Sequence, residues 1–284
     1  MINVLYAGND KVFDGMLTSA LSILKRTTTK KAFNFYIFTM DVSHIKPEYL
    51  PVSDEQCAFF ENIIKEYNPN NTATKIDVTE LYMKEFSNCP NEQAYCSPYT
   101  LIRLFADMVD CIPDKLLYLD ADVMFNRDIT LLYDHDIENY EYAAAPDHYG
   151  KYLIHPHYIN AGVLLLNMKM IKNTKLLQKA RELIKQKQLV FADQSAIIRS
   201  TTKKLVLQQK FNDQKFLHKT TVVRHFSKRL FWLPYPHTAN IKQWQVDSVH
   251  NVFKYHQFDD ILDEYISLKR KFEQESNQHK GETL

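Results

Sequence analysis

The chain has 284 residues, 45% of them hydrophobic and 24% charged, with 35 Lys and Arg against 34 Asp and Glu. This is the composition of a folded globular protein long enough to bury a sizeable core, and one large domain is the starting expectation. The five glycines, Gly8, Gly15, Gly150, Gly162 and Gly281, are too widely spaced for a G-x-G-x-x-G dinucleotide turn, a G-x-x-x-x-G-K phosphate loop or a G-x-S-x-G nucleophile elbow.

In chain order, Ile2 to Ala7 is a short β-prone run, and Leu17, Ala20, Leu21 and Leu24 then recur at helical spacing. Phe33 to Met40 reads as a strand, Cys57, Phe60, Ile64 and Tyr67 mark a helix, and Lys75 to Thr79 reads as another strand, so the alternation is α/β. Ser97-Pro98 predicts a helix start, with Leu101, Leu104, Phe105 and Met108 on its buried face. Lys115 to Leu119 is an apolar run ending in acidic residues; Tyr142 to Pro146 and Ala161 to Met168 read as buried strands. Thr174 to Gln188 reads as a basic amphipathic helix, and Phe258 to Glu275 as a closing helix followed by a polar tail.

No basic region precedes an apolar stretch at the N-terminus, and no apolar run reaches about 18 residues, so neither a signal peptide nor a membrane span is expected and the chain is placed in the cytoplasm. Cys57, Cys89, Cys96 and Cys111 have no C-x-x-C spacing and read as reduced structural thiols. From Met168 to Arg229 there are sixteen Lys and Arg against three Asp and Glu. Such a stretch could meet an anionic membrane or polymer at the inner membrane face; the alternative is lysine spread over solvated faces. Nucleic acid is not expected, because these basic residues are not interleaved with aromatics.

The sharpest feature is Leu116-Leu-Tyr-Leu-Asp120-Ala-Asp122-Val123. In extended backbone, residues two apart project to one side, so both carboxylates can face one point at a strand end. Two like charges there call for a cation, and hard oxygen ligands suit Mg²⁺ or Mn²⁺. The alternative is a carboxylate-rich strand end that caps the next turn.

Six blocks in order resemble glycosyltransferase family 8, the group of bacterial lipopolysaccharide α-galactosyltransferases and glycogenin. They are Ile2 to Asp10, Tyr99 to Leu104, Leu117 to Val123, Tyr158 to Asn167, Ala192 to Ser195 and Val223 to Phe226. The resemblance implies a GT-A nucleotide-diphospho-sugar transferase fold with a mixed central sheet flanked by helices, spanning 1–255, and a helical C-terminus with polar tail over 256–284. It implies retaining transfer of galactose or glucose from a UDP-hexose to a glycan or lipid-linked acceptor, with Mn²⁺ (or Mg²⁺).

On the same resemblance, Asp120, Asp122 and His225 would be the metal ligands. Ala7, Asn9 and Asp10 would meet base and ribose, and Arg103 and Ala121 would lie near the diphosphate. Asn160, Asp193 and Gln194 would surround the transferred sugar, with Asp147 near donor and acceptor hydroxyls; Asp147 on its own also reads as a turn former. Gln194 is a poor nucleophile, because an amide oxygen carries no charge, which favours same-face transfer.

Two departures stand out. Val12, with Phe13 adjacent, replaces the aromatic that often stacks on the base. The family's His-x-x-Gly-x-x-Lys-Pro-Trp becomes His225-Phe-Ser-Lys-Arg-Leu-Phe-Trp232 without glycine, and Lys242-Gln243-Trp244 follows ten positions later. Lys242 is the expected phosphate lysine, with Lys228 and Arg229 as alternatives. The rival readings are a non-catalytic glycan-binding or scaffold homologue and a haloacid dehalogenase-type phosphatase, which also begins with an apolar strand ending in D-x-D.

Overall fold

The computed structural model describes residues 1–92, 97–233 and 235–281, with 278–281 as helix backbone alone. Cys96 lies outside the described residues. Strands are β1 (Ile2–Ala7), β2 (Phe33–Thr39), β3 (Thr72–Asp77), β4 (Lys115–Leu119), β5 (Val123–Phe125), β6 (Tyr142–Ala144), β7 (Val163–Asn167), β8 (Lys204–Val206), β9 (Val223–His225), β10 (Arg229–Phe231) and β11 (His237–Ala239). The helices are α1 (Phe13–Arg26), α2 (Asp54–Tyr67), α3 (Thr79–Phe86), α4 (Thr130–Tyr133), α5 (Gly150–Leu153), α6 (Met168–Thr174), α7 (Leu176–Gln186), α8 (Ala192–Ser200), α9 (Val246–Ser248) and α10 (Asp259–Gly281).

Seven strands form one mixed sheet in the order β3-β2-β1-β4-β7-β6-β8. β1 runs parallel to β2 and β4, whereas β7 is antiparallel to both β4 and β6. The pleat sends alternate residues to opposite faces. Val4, Tyr6, Leu117 and Leu119 pack under α1, α2 and α10, while Leu5, Leu116 and Tyr118 pack under α3 and α6 to α8. On the first face Phe60 meets Phe35 edge-on at 5.4 Å between ring centroids, and Ile261, Leu262 and Tyr265 of α10 join the same core.

Two short pairings matter for the site. β7 enters antiparallel beside β4, placing Leu119 opposite Val163, so the chain before β7 lies at the C-terminal end of β4. β5 pairs with β9, Val123 opposite His225, which brings a residue a hundred positions downstream to the acidic pair. Between β9 and α9, β10 and β11 form an antiparallel hairpin.

Some elements differ from the sequence reading. The segment after Ser97 forms two 3₁₀ turns, Pro98–Thr100 and Ile102–Phe105, rather than an α-helix. Arg103 Nε bonds Thr100 O (3.0 Å) and its NH1 bonds Ala161 O (2.7 Å), so the side chain is anchored by carbonyls around it. The helix predicted over 174–188 is α7, and Lys175, in a left-handed conformation (φ 57°), sets it off from an additional short helix, α6, that the sequence reading did not contain. Part of the basic stretch faces inward, Arg181 being buried against Asp107 and Arg224 fully buried, while the exposed Lys185 pairs with Glu85.

Cys57, Cys89 and Cys111 are free thiols, and burial pushes the Cys57 thiol up to about 11. Among the described residues no helix is long and apolar enough to cross a membrane.

Phe60→Ala removes a fully buried ring from the aromatic cluster beneath α2 and should lower unfolding free energy by roughly 3–5 kcal/mol, read as a lowered urea midpoint at unchanged slope.

Candidate functional site

The C-terminal ends of the parallel strands β1 and β4 form one edge of the sheet, where ligands of open α/β folds gather. Ala7 closes β1; Asn9 follows, buried, and Asp10 opens a short 3₁₀ turn with its backbone N–H on Leu50 O (3.3 Å). Phe13 is turned into the core between Phe60 and Phe272, so it offers no stacking face there. Gln194 and Asp193 sit in the first turn of α8.

Asp120 is held from two sides. Arg103 NH2 donates to its Oδ1 (2.9 Å), and the Tyr118 hydroxyl donates to the same oxygen (2.7 Å). Arg103 also pairs through Nε with Asp193 Oδ2 (3.2 Å), and its guanidinium lies 4.1 Å from the centroid of the Tyr118 ring. Burial works against the Arg103 charge, but Asp120 and Asp193 outweigh it and hold the guanidinium above its ordinary range. Burial pushes the Asp193 carboxyl up, with Arg103 opposing it.

With Oδ1 of Asp120 occupied, Oδ2 faces His225, 3.8 Å from Nε2. The same Nε2 is 3.0 Å from Asp122 Oδ1. Burial would raise the Asp122 carboxyl, but Lys242 and then His225 hold it well below the usual carboxylate range. The Lys242 ammonium donates to Asp122 Oδ2 and to Phe226 O (3.3 Å). Arg229, by contrast, lies over Phe231 and Phe253. Thus the structure brings Lys242 to the acidic pair across the hairpin insertion.

Its placement rests on its neighbours. Gln243 is fully buried and its Nε2 donates to Ala121 O (2.7 Å) and Thr18 Oγ1 (3.1 Å). Trp244 packs against Gly15, where a Cβ would stand 2.5 Å from the indole and 2.6 Å from Ala121 O. Glycine is equally required at 162, since a Cβ there would meet His225 Cε1 at 2.4 Å and Asp120 Oδ2 at 2.6 Å.

A second set of contacts links this centre to the predicted sugar-side residues. Asn160 Nδ2 donates to Asp147 Oδ2 (3.0 Å), while Asp147 Oδ1 accepts from Tyr149 N and Gly150 N; the aspartate both starts α5 and holds Asn160. Gln194 Oε1 accepts the Ala161 N–H (2.9 Å). Asn212, which sequence reasoning did not single out, is fully buried; its Nδ2 donates to Asn160 Oδ1 (2.9 Å) and its Oδ1 faces His225 Nδ1 (3.0 Å). That contact directs the other ring nitrogen at Asp122. A lone Asn after a 3₁₀ turn carries no sequence signal, because its partners come from β9 and from the segment ahead of β7.

Asp120, Asp122 and His225 each offer a ligand atom, all within 4.8 Å of one another. Two carboxylates and one imidazole, with the second imidazole nitrogen tied to Asn212 and one Asp120 oxygen already satisfied, make a donor set that suits a divalent cation such as Mn²⁺.

A profile of glycosyl transferase family 8 matches residues 3–226. A Haemophilus influenzae protein, described as a glycosyltransferase by assignment, is 25% identical over 189 residues, 63% of this chain and 52% of its own length. The chain therefore spans about half the length of that relative. Among solved structures, an active-site mutant of LgtC superposes with a TM-score of 0.67 at 18% identity, covering 95% of this chain and 96% of its own. The galactosyltransferase LgtC in complex with donor and acceptor sugar analogs gives 0.62 at 18% identity, covering 93% and 96%. The mixed sheet, the acidic pair at its edge and the family match together establish that the chain belongs to glycosyltransferase family 8 and has the GT-A fold.

Proposed function

We propose that the chain is a retaining hexosyltransferase that moves glucose or galactose from a UDP-sugar to a glycan or lipid-linked acceptor, with Mn²⁺ or Mg²⁺ held by Asp120, Asp122 and His225. The observation that carries this reading is the convergence of those three side chains beside Arg103 at the C-terminal edge of the parallel strands. The galactosyltransferase LgtC, with which the fold superposes, was crystallised with donor and acceptor sugar analogs. When bound, the cation supplies Lewis-acid stabilisation of negative charge on the departing diphosphate.

The chain's own residues then divide the work. Ala7, Asn9 and Asp10, at the end of β1, receive the base and ribose. Arg103 orients Asp120 through its Oδ1, and Lys242 moves from Asp122 to the diphosphate when the donor enters. Asn160, Asp193 and Asp147 bind hydroxyls of the transferred sugar and the acceptor. Gln194 Oε1 already accepts a backbone N–H, which lowers its availability as a nucleophile. Same-face transfer follows. The bond from the anomeric carbon to diphosphate oxygen breaks with its electron pair on phosphate. The acceptor oxygen then bonds that carbon from the same side, and its proton passes to a diphosphate oxygen.

The test is a panel of UDP-glucose, UDP-galactose, their N-acetyl forms and GDP-mannose, each with Mn²⁺ or EDTA, read by thermal shift and UDP release. Stabilisation and slow hydrolysis of one UDP-hexose are expected, with loss in EDTA and a fall of ~100-fold or more in Asp122→Asn. Silence across the panel in a folded protein would reject the reading.

Two substitutions probe the site's wiring. Lys242→Met frees the Asp122 carboxylate from a competing ammonium, so Mn²⁺ binding without nucleotide should tighten about tenfold by calorimetry while donor turnover falls. Asn212→Ala leaves the His225 ring without its anchor and should weaken Mn²⁺ binding roughly 10–100-fold with the circular dichroism spectrum unchanged.

A further inference from the structure

A second cluster of metal-ligating side chains lies at the turn into α10. His250 Nε2 is 2.8 Å from Asp259 Oδ1, and His256 Nδ1 is 3.1 Å from Asp259 Oδ2. The two imidazoles stack, centroids 4.6 Å apart and planes at 23°. All three ligand atoms lie within 4.8 Å of one another.

The backbone that builds this cluster is irregular. Val249–Phe253 is a π-helical turn, and Lys254 takes a left-handed conformation (φ 57°), which folds the chain back so that His256 lies over His250. Asp259 is the first residue of α10, and the neighbouring Asp260 is taken by Arg26, which holds it through both carboxylate oxygens (2.8 and 2.7 Å). The two acidic residues at this helix start thus serve different partners.

We propose that His250, His256 and Asp259 form a second metal site, distinct from the acidic pair, that takes a borderline divalent ion of the Zn²⁺ class. The ligand chemistry separates the two centres. Two imidazoles and one carboxylate suit zinc, nickel or copper, whereas two carboxylates and one imidazole suit manganese or magnesium. Tetrahedral zinc with bonds of 2.0–2.1 Å spaces its ligand atoms by about 3.3 Å; the two imidazoles now meet different oxygens of Asp259, at 2.8 and 3.1 Å, and the three ligand atoms lie within 4.8 Å, so side-chain rotations without backbone movement would close the set. The His256 side chain is 65% exposed, which leaves an entry path and room for water as a fourth ligand.

The ion clips the π-turn to α10. That turn carries Phe253, which packs against Phe226, the residue after His225, at 5.9 Å and against Phe231 of the hairpin at 6.2 Å. The site therefore steadies the wall behind the acidic pair without touching substrate.

The experiment titrates Co²⁺ and then Zn²⁺ into a variant carrying Asp120→Ala and Asp122→Ala, which removes the first centre. One equivalent of Co²⁺ with visible d–d bands, displaced by Zn²⁺, is expected, together with a rise in melting temperature on Zn²⁺ addition. Adding His256→Ala, at an exposed position, should weaken Zn²⁺ binding at least tenfold and abolish the thermal shift. Should the double variant fail to fold, the count is made in the otherwise unchanged chain, where His256→Ala takes it from two equivalents to one. Absence of Co²⁺ bands, or binding indifferent to His256→Ala, would overturn the assignment.

Discussion

The constraint on which the site depends is the gathering of three carboxylates, Asp120, Asp122 and Asp193, at one sheet edge with little water to screen them. Like charges at this spacing in a partly buried site repel strongly unless each finds a cation. Arg103 serves two of them at once, and its own position is fixed by two carbonyls and the Tyr118 ring. Asp122 is served from the other side by His225 and Lys242. This division leaves Asp120 Oδ2, Asp122 and the His225 ring pointing inward toward one another, an arrangement a divalent cation can close. The fold elements nearby follow from it: β9 must pair with β5 to deliver His225, and position 162 must lack a side chain.

Lys242, proposed to meet the diphosphate, reaches the acidic pair although the segment before it is rearranged. In place of a short glycine-containing connection, the chain after His225 makes the β10–β11 hairpin before returning. The return is secured not by Lys242 itself but by Gln243 on Ala121 O and by Trp244 against Gly15. The anchors and the ammonium are thus on different residues. The ammonium can leave Asp122 while the backbone that carries it stays docked on α1 and on the acidic turn. A phosphatase in which Asp120 is the nucleophile fits this geometry poorly as well as lying outside the family: Oδ1 of Asp120 is bound by both Arg103 and Tyr118.

Local features of the sequence carried much of this. The apolar run into Asp120, the strand-forming segments on either side and the paired carboxylates are all set by nearest neighbours, and the structure places them where periodicity predicts. Asp147 was legible as a turn former, and its second oxygen on Asn160 is a tertiary contact that the sequence does not display. Two kinds of feature were not legible. The 3₁₀ turns around Arg103 have the start signal and apolar spacing of an α-helix, yet the helix does not propagate. The short helix α6 and the left-handed Lys175 that ends it lie between a predicted strand and a predicted helix, where the sequence shows no periodicity to mark them. Asn212 and Gln243 are ordinary amides whose importance comes from being fully buried with partners far away in the chain.

The basic stretch makes the same point about charge. Sixteen cationic residues between Met168 and Arg229 suggest an outward face, but a count along the chain does not say where each group ends. Arg181 is buried on Asp107, and Lys185 holds Glu85. Arg224 is enclosed by Phe226, Phe253 and Tyr255, with NH1 on the Asp213 and His225 carbonyls. Burial pulls the Arg224 guanidinium below its ordinary range, so this charge is a cost the aromatic faces and carbonyls must offset. What it returns is rigidity at one point: the same Asp213 carbonyl that accepts from Arg224 also accepts the His225 N–H, so the buried cation fixes the backbone of a residue that faces the acidic pair. Some of the positive charge in this stretch therefore organises the site from within rather than presenting a surface to a partner.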